Sequence, residues 1–162
     1  MLGKSGSKMK KLSKREEKAF TRYLFHQYLI SEGSGRIVYS YGDNLVIKVA
    51  KNRNGLIQNK TEVERFKQYG DKNLARIYAY SKRVIIMEKV NKPRNLSLEK
   101  GFNKLANWFN ETFNICCEDS MSQGKRKGTN KSILYDYGFS EKLNVKRFNT
   151  DYYLRERVLS KD

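Results

Sequence analysis

The sequence has 162 residues, of which 34 are lysine or arginine and 17 are aspartate or glutamate, giving a formal net charge of +17. This length allows one domain with a hydrophobic core, and the charge predicts an anionic partner, either an acidic protein or nucleic acid. No run of about 18 apolar residues is present, which excludes a membrane-spanning helix, and the start MLGKSGSKMKK lacks the apolar segment of a secretory signal. We therefore expect a cytoplasmic protein.

Few residues are available for histidine or thiol chemistry. The chain has one histidine, His26, and two adjacent cysteines, Cys116 and Cys117. Neighbouring cysteines do not form an ordinary structural disulfide and lack the spacing of a zinc site. A catalytic triad, a cysteine–histidine pair and a histidine-bound metal have almost no residues to draw on.

The N-terminal half predicts a basic arm, a helix, a hairpin and a second helix. Residues 1–10 form the basic arm, and residues 11–30 carry apolar side chains at helical spacing. The alternating stretches 36–41 and 45–50 flank a Gly-Asp-Asn turn and predict a β-hairpin. Residues 57–70 predict a helix whose final glycine is the C-cap.

The C-terminal half predicts two strands, a helix, a basic loop, an apolar run and a basic tail. These segments are residues 74–80, 83–88, 97–114, 118–131, 132–139 and 140–162. The only proline, Pro93, marks a break before the helix, and Ser97 is its candidate N-cap. Strands that follow one another locally, mixed with helices, indicate an α+β fold.

A glycine turn stands one hairpin ahead of a lone lysine. The stretch SEGSGRIVYSYGDNLVIKVA places Gly33 and Gly35 before the hairpin and Lys48 among the β-branched residues of its second strand. Exposed backbone N–H groups and a nearby ammonium both suit a polyanion, which suggests a phosphate cradle. The alternative is a purely structural turn, because glycine turns before hairpins are common.

The order of motifs along the chain resembles the protein-kinase signature. The glycine turn and strand lysine are followed by a helix with a glutamate, a strand ending in an acidic residue, a polar loop and Asp-Tyr-Gly. The segments GSGRIVYS, VIKVAKNRNGLIQNKTEVE and LYDYGF look like small, divergent kinase-like proteins of bacteriophages and bacteria. The resemblance covers residues 31–139.

This resemblance implies a minimal protein-kinase-like α+β fold. Residues 1–30 would be a basic arm and helix, and residues 31–90 an N-lobe with an antiparallel sheet and a glutamate-bearing helix. Residues 91–162 would form a truncated, mainly helical C-lobe. The implied cofactors are ATP and Mg²⁺.

The resemblance also implies a role for each matching residue. Gly33 and Gly35 would cover the nucleotide, with Val38 standing where a third glycine is usual. Asp136 of the Asp-Tyr-Gly motif would be the metal ligand, with Tyr137 in the place of phenylalanine.

Lys48 would bind phosphates, and it needs a charged partner because an unpaired ammonium is costly to bury. Glu62 in the following helix is the best candidate, since Glu64 faces a different side of that helix. Glu88 ends the strand that resembles the kinase hinge, where backbone groups hold the adenine.

The catalytic loop departs from the family pattern. Kinases carry His-Arg-Asp followed by an asparagine that binds metal, and neither is in register here. Asp119 keeps the chemical identity of the base but puts Gly124 at the metal position, whereas Glu118 keeps the spacing to Gln123. Both registers remain open. The basic run 125–127 close behind could hold a phosphate or form a solvated loop.

Three functions are consistent with the sequence. The first is an ATP- and Mg²⁺-dependent phosphotransferase, which in a phage-encoded chain would act on an acidic host protein in the host cytoplasm. The second is a pseudokinase that serves as a basic inhibitor or adaptor. The third is a nucleic-acid-binding protein, which the charge and the eleven tyrosines favour, although no recognised nucleic-acid motif is present.

Overall fold

The computed structural model describes residues 8–24, 28–92, 102–113 and 122–138. The helices are α1 (Lys14–Tyr23), α2 (Arg53–Tyr69) and α3 (Phe102–Phe113). The strands are β1 (Lys10–Lys11), β2 (Leu29–Glu32), β3 (Arg36–Tyr41), β4 (Leu45–Ala50), β5 (Ile77–Tyr80), β6 (Val84–Glu88), β7 (Ser122–Lys125) and β8 (Ser132–Asp136).

A six-stranded sheet forms the centre of the fold, in the order β1-β5-β6-β4-β3-β2, and β7 and β8 form a separate hairpin. All neighbouring strands of the sheet are antiparallel except β1, which runs parallel to β5. The α+β class, the antiparallel sheet and the glutamate-bearing helix α2 are confirmed. The described part of residues 91–162 contains α3 and the β7–β8 hairpin.

The β3–β4 hairpin has the bounds that the sequence pattern predicts. Its turn contains Gly42 with a φ of 66°, a conformation that glycine adopts without steric cost. Within the ladder, Lys48 lies opposite Val38 on one side and Ile85 of β6 on the other. The lysine is therefore carried by an interior strand.

The first helix is shorter than predicted. Ser13 caps it, with Glu16 completing a capping box, and the helix ends at Tyr23. The predicted helix over 11–30 is wrong for residues 29 and 30, which belong to β2 and pair with β3 at the sheet edge. Tyr28 is 82% exposed, so its side chain does not pack into the core as the helical spacing predicted. The segment that follows pairs as an edge strand instead. Lys10, predicted in the basic arm, and Lys11, predicted in the helix, form β1 and join the sheet.

The second helix begins earlier than predicted. Asn52 caps it by accepting a hydrogen bond from the Gly55 amide at 3.1 Å, and Gly70 ends it with a φ of 69°. Asn54 and Gly55 therefore lie in the first turn of this helix, ahead of the predicted start at residue 57. Gly55 is required there because a Cβ at this position would lie 2.0 Å from the carbonyl oxygen of Gly35.

Two hydrophobic clusters cover the two faces of the sheet. The larger joins α2, α3, the sheet and the β7–β8 hairpin, with Phe66, Phe109 and Tyr137 essentially without solvent exposure. The smaller lies on the face towards α1 and includes Leu12 and Ile47. Together they fix the sheet, α2 and the hairpin relative to one another.

The basic loop predicted over 118–131 is partly a strand. Ser122–Lys125 pairs with β8, and Lys125 also pairs with Asn91 beyond the end of β6. The polar composition predicts a loop, but hydrogen bonding to β8 and to Asn91 makes this segment a strand. Pro93, Ser97 and the tail 140–162 lie outside the described residues. Within the described ranges, no helix has the length and apolar character needed to cross a membrane.

Candidate functional site

Lys48 and Glu62 form a buried ion pair. The Lys48 ammonium donates to Glu62 Oε1 at 2.6 Å and to the backbone carbonyl of Tyr135 at 2.5 Å. The Glu62 side chain has no solvent exposure and that of Lys48 has 5%. Glu64 lies on the exposed side of α2. The structure therefore brings together the two residues that the sequence paired, while their role stays a prediction.

A second buried cation, Arg36, was missed by the sequence reasoning. It begins β3, is 6% exposed, and its Nη1 donates to Glu62 Oε2 and to Asn59 Oδ1, the latter at 3.2 Å. Its Nη2 donates to Asp136 Oδ1 at 2.7 Å. The available signal was an arginine directly after the glycine turn and before apolar strand residues. It pointed to a buried charge but not to its partners.

The four side chains balance in charge: two cations, Arg36 and Lys48, face two carboxylates, Glu62 and Asp136. Burial lowers the pKa of Lys48, and the nearby Arg36 charge acts in the same direction, while Glu62 opposes them. For Arg36, burial also opposes the charge, but Glu62 and then Asp136 outweigh it, so its pKa is raised. Arg36 is therefore the more firmly charged of the two cations.

The glycine turn lies against the start of α2. A Cβ on Gly35 would lie 2.6 Å from Gln58 Oε1 and 2.9 Å from the Gly55 amide nitrogen, whereas Gly33 has no atom closer than 3.8 Å. The Gly35 carbonyl accepts a hydrogen bond from the Lys51 amide at 2.9 Å. Gly35 is thus a packing residue, and Gly33 is the residue of the pair with open space.

The Asp-Tyr-Gly motif follows β8 and packs onto α2. The Tyr137 hydroxyl donates to the Ala75 carbonyl at 2.7 Å, and burial raises its pKa well above 10.0. A Cβ on Gly138 would lie 2.5 Å from the Gln58 carbonyl oxygen. These contacts fix the backbone on the C-terminal side of Asp136, whose side chain is 47% exposed.

A cleft of about 850 Å³ opens beside the four charged side chains. It is lined by the glycine turn, by Arg36, Lys48 and Asp136, and by the segment from Met87 to Val90. Val38 lines it from β3, in a strand instead of the turn where kinases have a third glycine. The volume is in the range of small-molecule sites.

The segment that resembles the kinase hinge makes hydrogen bonds to other parts of the protein. Glu88 accepts hydrogen bonds from the Arg126 side chain at 2.8 and 3.2 Å and from the Arg76 amide at 2.8 Å. The amides of Glu88, Lys89 and Asn91 donate to backbone carbonyls. These amides and the Glu88 carboxylate already have partners within the protein. A nucleotide would therefore have to bind other backbone atoms of the segment. Arg126 of the predicted basic run is therefore a structural residue that joins the hairpin to the sheet.

Asp136 could hold magnesium together with substrate phosphates. In the described part of the chain, no group of three acidic, histidine or cysteine side chains lies close enough to hold a metal. Magnesium is often held by one or two carboxylates together with substrate phosphates, and the half-exposed Asp136 at the cleft fits that arrangement. Asp136 is the residue that would hold the ion.

Of the remaining predicted site residues, Gln123 is the one that the structure describes, and it is not brought to the cleft. Gln123 is 2% exposed and does not line the cleft, and neither of its polar side-chain atoms has a hydrogen-bond partner among the described residues. Its placement does not favour the metal role that one register of the catalytic loop gave it. Glu118 and Asp119 lie outside the described residues, as do His26 and both cysteines.

Comparison with known proteins gives a limited result. Neither a protein-family model nor a curated protein matches the chain. Among solved structures, it is similar to the streptomycin–ATP–APH(2″)-IIa ternary complex, with a TM-score of 0.44 and 18% identity, covering 67% of this chain and 42% of that one. It is also similar to the gentamicin–APH(2″)-IIa complex, with a TM-score of 0.45 and 18% identity, covering 68% and 42%.

The chain thus spans about two fifths of the length of these two structures. A likeness this distant carries no argument about chemistry.

Proposed function

We propose that this chain is an ATP- and Mg²⁺-dependent phosphotransferase built on a minimal protein-kinase-like fold. The observation that supports this most is the buried Lys48–Glu62 pair, 2.6 Å long, at the wall of a cleft that also exposes Asp136. Burying an ion pair costs desolvation free energy, and buried charges beside a cleft are typical of functional sites. Binding of a polyanion in the cleft would account for this pair.

Each residue has a distinct task in this proposal. Lys48, oriented by Glu62, binds the nucleotide phosphates, and Asp136 holds the metal. Bound Mg²⁺ would neutralise charge that develops on the transferring phosphoryl group. Asp119 or Glu118 would accept the proton of the acceptor hydroxyl. Positioning and electrostatics supply most of the rate enhancement in such reactions.

The test is nucleotide binding by calorimetry, with and without Mg²⁺, followed by transfer from labelled ATP. Asp136→Asn should abolish magnesium-dependent binding and transfer, and Lys48→Met should weaken binding. Glu64→Gln, on the exposed side of the same helix as Glu62, is the matched control and should change neither. Wild-type protein that binds no ATP under either condition would refute the proposal.

The base is tested separately. Alanine at Asp119 or at Glu118, whichever serves, should leave ATP binding nearly unchanged while slowing transfer by about a hundred- to ten-thousand-fold. If both single alanine variants transfer phosphate at the wild-type rate, neither residue is the base.

A nucleotide-binding pseudokinase is the second candidate, favoured by the Arg36–Asp136 contact, which occupies one oxygen of the proposed metal ligand. Such a protein would bind ATP but transfer no phosphate to itself or to added substrates. The net charge of +17 would then serve to bind an acidic protein, a host protein if the chain is phage-encoded. Transfer dependent on Asp136 would exclude this version.

Nucleic acid is the other anionic partner that the charge supports. Binding of this kind would weaken steeply with added salt and would persist in Lys48→Met, because it needs the basic surface and not the cleft. A gel-shift titration at two salt concentrations separates it from the nucleotide function.

A further inference from the structure

Arg36 is held by two kinds of partner, one at each end of its guanidinium. Nη1 donates to Glu62 and Asn59, both on α2, and Nη2 donates to Asp136 at the end of β8. The guanidinium is planar and its donors have fixed directions. Anchoring Nη1 on α2 therefore fixes the direction in which Nη2 points.

The two anchors differ in their access to solvent. The Glu62 side chain has no exposure and Asn59 is 1% exposed, whereas the Asp136 side chain is 47% exposed. Arg36 and Asp136 both line the cleft. The Nη1 end is consequently held by buried partners, and the Nη2 end faces the cleft that a ligand would enter.

We propose that Arg36 is a phosphate-binding residue that exchanges Asp136 for a phosphate oxygen when a nucleoside triphosphate enters the cleft. This rests on the proposed nucleotide function and adds a residue to it. Nη1 stays on Glu62 and Asn59, while Nη2 passes from one anionic acceptor to another, so the guanidinium stays paired throughout. Guanidinium groups suit phosphate oxygens for the same reason that they suit carboxylates.

Lys48 already has partners within the protein, so a second cationic side chain would help to bind phosphate. Its ammonium already donates to Glu62 and to the Tyr135 carbonyl. Arg36 lines the same cleft and brings a second positive charge to it, held in place by Glu62 and Asn59.

The exchange predicts that Asp136 and phosphate compete for Arg36. Inorganic tripolyphosphate with a chelator present is the probe, since it removes both adenine and metal from the measurement. Calorimetric affinities are compared for wild type, Arg36→Gln, Asp136→Asn and the double variant. Arg36→Gln should weaken binding about ten- to a hundred-fold, the effect expected for one charge-assisted hydrogen bond, and Asp136→Asn should strengthen it.

The double variant distinguishes exchange from simple relief of repulsion. If Asp136 acts by occupying Arg36, its replacement gains nothing once Arg36 is gone, so the double variant should match Arg36→Gln. An equal gain from Asp136→Asn in both backgrounds would overturn the inference, as would an Arg36→Gln protein that binds like wild type. Thermal unfolding identifies misfolded variants. Should Arg36→Gln fail to fold, Arg36→Lys carries the test and should also bind more weakly than wild type, since it loses the fork geometry.

The wild-type protein separates the two proposals. Binding of ATP with Mg²⁺, together with no metal-free tripolyphosphate binding by either wild type or Asp136→Asn, would overturn the role of Arg36 alone. Absence of all binding, including ATP with Mg²⁺, would overturn the proposed function and this inference together.

Discussion

Replacing Glu62 by glutamine should destabilise the fold more than replacing either of its cationic partners. The Glu62 carboxylate has no solvent exposure and accepts from Lys48 on one oxygen and from Arg36 on the other. In glutamine one of these oxygens becomes an NH₂ group, which would face a donor, and Lys48 loses its carboxylate partner and keeps only neutral acceptors such as the Tyr135 carbonyl. Arg36 keeps Asp136.

Breaking a buried ion pair by removing one partner costs about 3–5 kcal/mol. Because Arg36 retains a carboxylate, we expect Glu62→Gln to lie near the lower end, about 3 kcal/mol. Domains are stable by about 5–15 kcal/mol, so this is a large fraction of the total. Lys48→Met should cost about half as much or less, since Glu62 then keeps Arg36 as a charged partner.

The assay is urea unfolding, with the free energy of unfolding taken by linear extrapolation and the slope checked for constancy. Glu64→Gln, exposed on the same helix, should lie within about 0.5 kcal/mol of wild type. The reasoning is refuted if Glu62→Gln lies within about 1 kcal/mol of wild type, or if Lys48→Met costs as much as Glu62→Gln.

Three further predictions concern the glycine turn, Tyr137 and the Asp71–Arg76 ion pair. Gly35→Ala should lower the free energy of unfolding by about 1–3 kcal/mol because its Cβ would meet backbone of α2, whereas Gly33→Ala, with nothing within 3.8 Å, should be tolerated; equal effects in urea unfolding would contradict this. Tyr137→Phe leaves the Ala75 carbonyl without the hydroxyl that donates to it and should lower the free energy of unfolding by about 1–3 kcal/mol. An unchanged urea midpoint would disprove this. Burial of Asp71 acts to raise its pKa, but the Arg76 hydrogen bond and charge outweigh this and leave the pKa lowered. The ionised Asp71 therefore stabilises the folded protein at pH values above its usual pKa of 3.8, and this stabilisation is lost as the pH falls below that value towards the lowered pKa of the folded state. The difference in urea midpoint between wild type and Asp71→Asn should thus be present at neutral pH and shrink in acid; a difference that does not change with pH would argue against the ion pair.

Local pattern determined much of the fold. The β3–β4 hairpin is predicted residue for residue because alternation and a glycine turn act over a few neighbouring positions. The Lys48–Glu62 pair is within reach of the same reasoning, since only 14 residues and one helix start separate the partners. A buried lysine needs an anion, and the next helix carries few candidates.

Element ends depended on contacts that the local pattern does not contain. Tyr28 and Leu29 have helical spacing with the residues before them, yet their segment becomes an edge strand because β3 offers unpaired backbone groups. Gly55, which is usually a turn signal, lies inside α2 because only glycine allows the close approach of Gly35. Propensity in both cases yielded to a neighbour supplied by another segment.

The tertiary structure alone decided which anion Arg36 meets. Arg36 and Asp136 are 100 positions apart, and no periodicity or motif spacing relates an arginine after a glycine turn to the aspartate of a distant strand end. The contact exists because Arg36, at the start of β3, bonds to α2, and Gly138, just beyond β8, packs against the same helix. Sequence fixes which residues carry charge, whereas the cost of burying those charges, and hence their pairing, is set only when the chain folds.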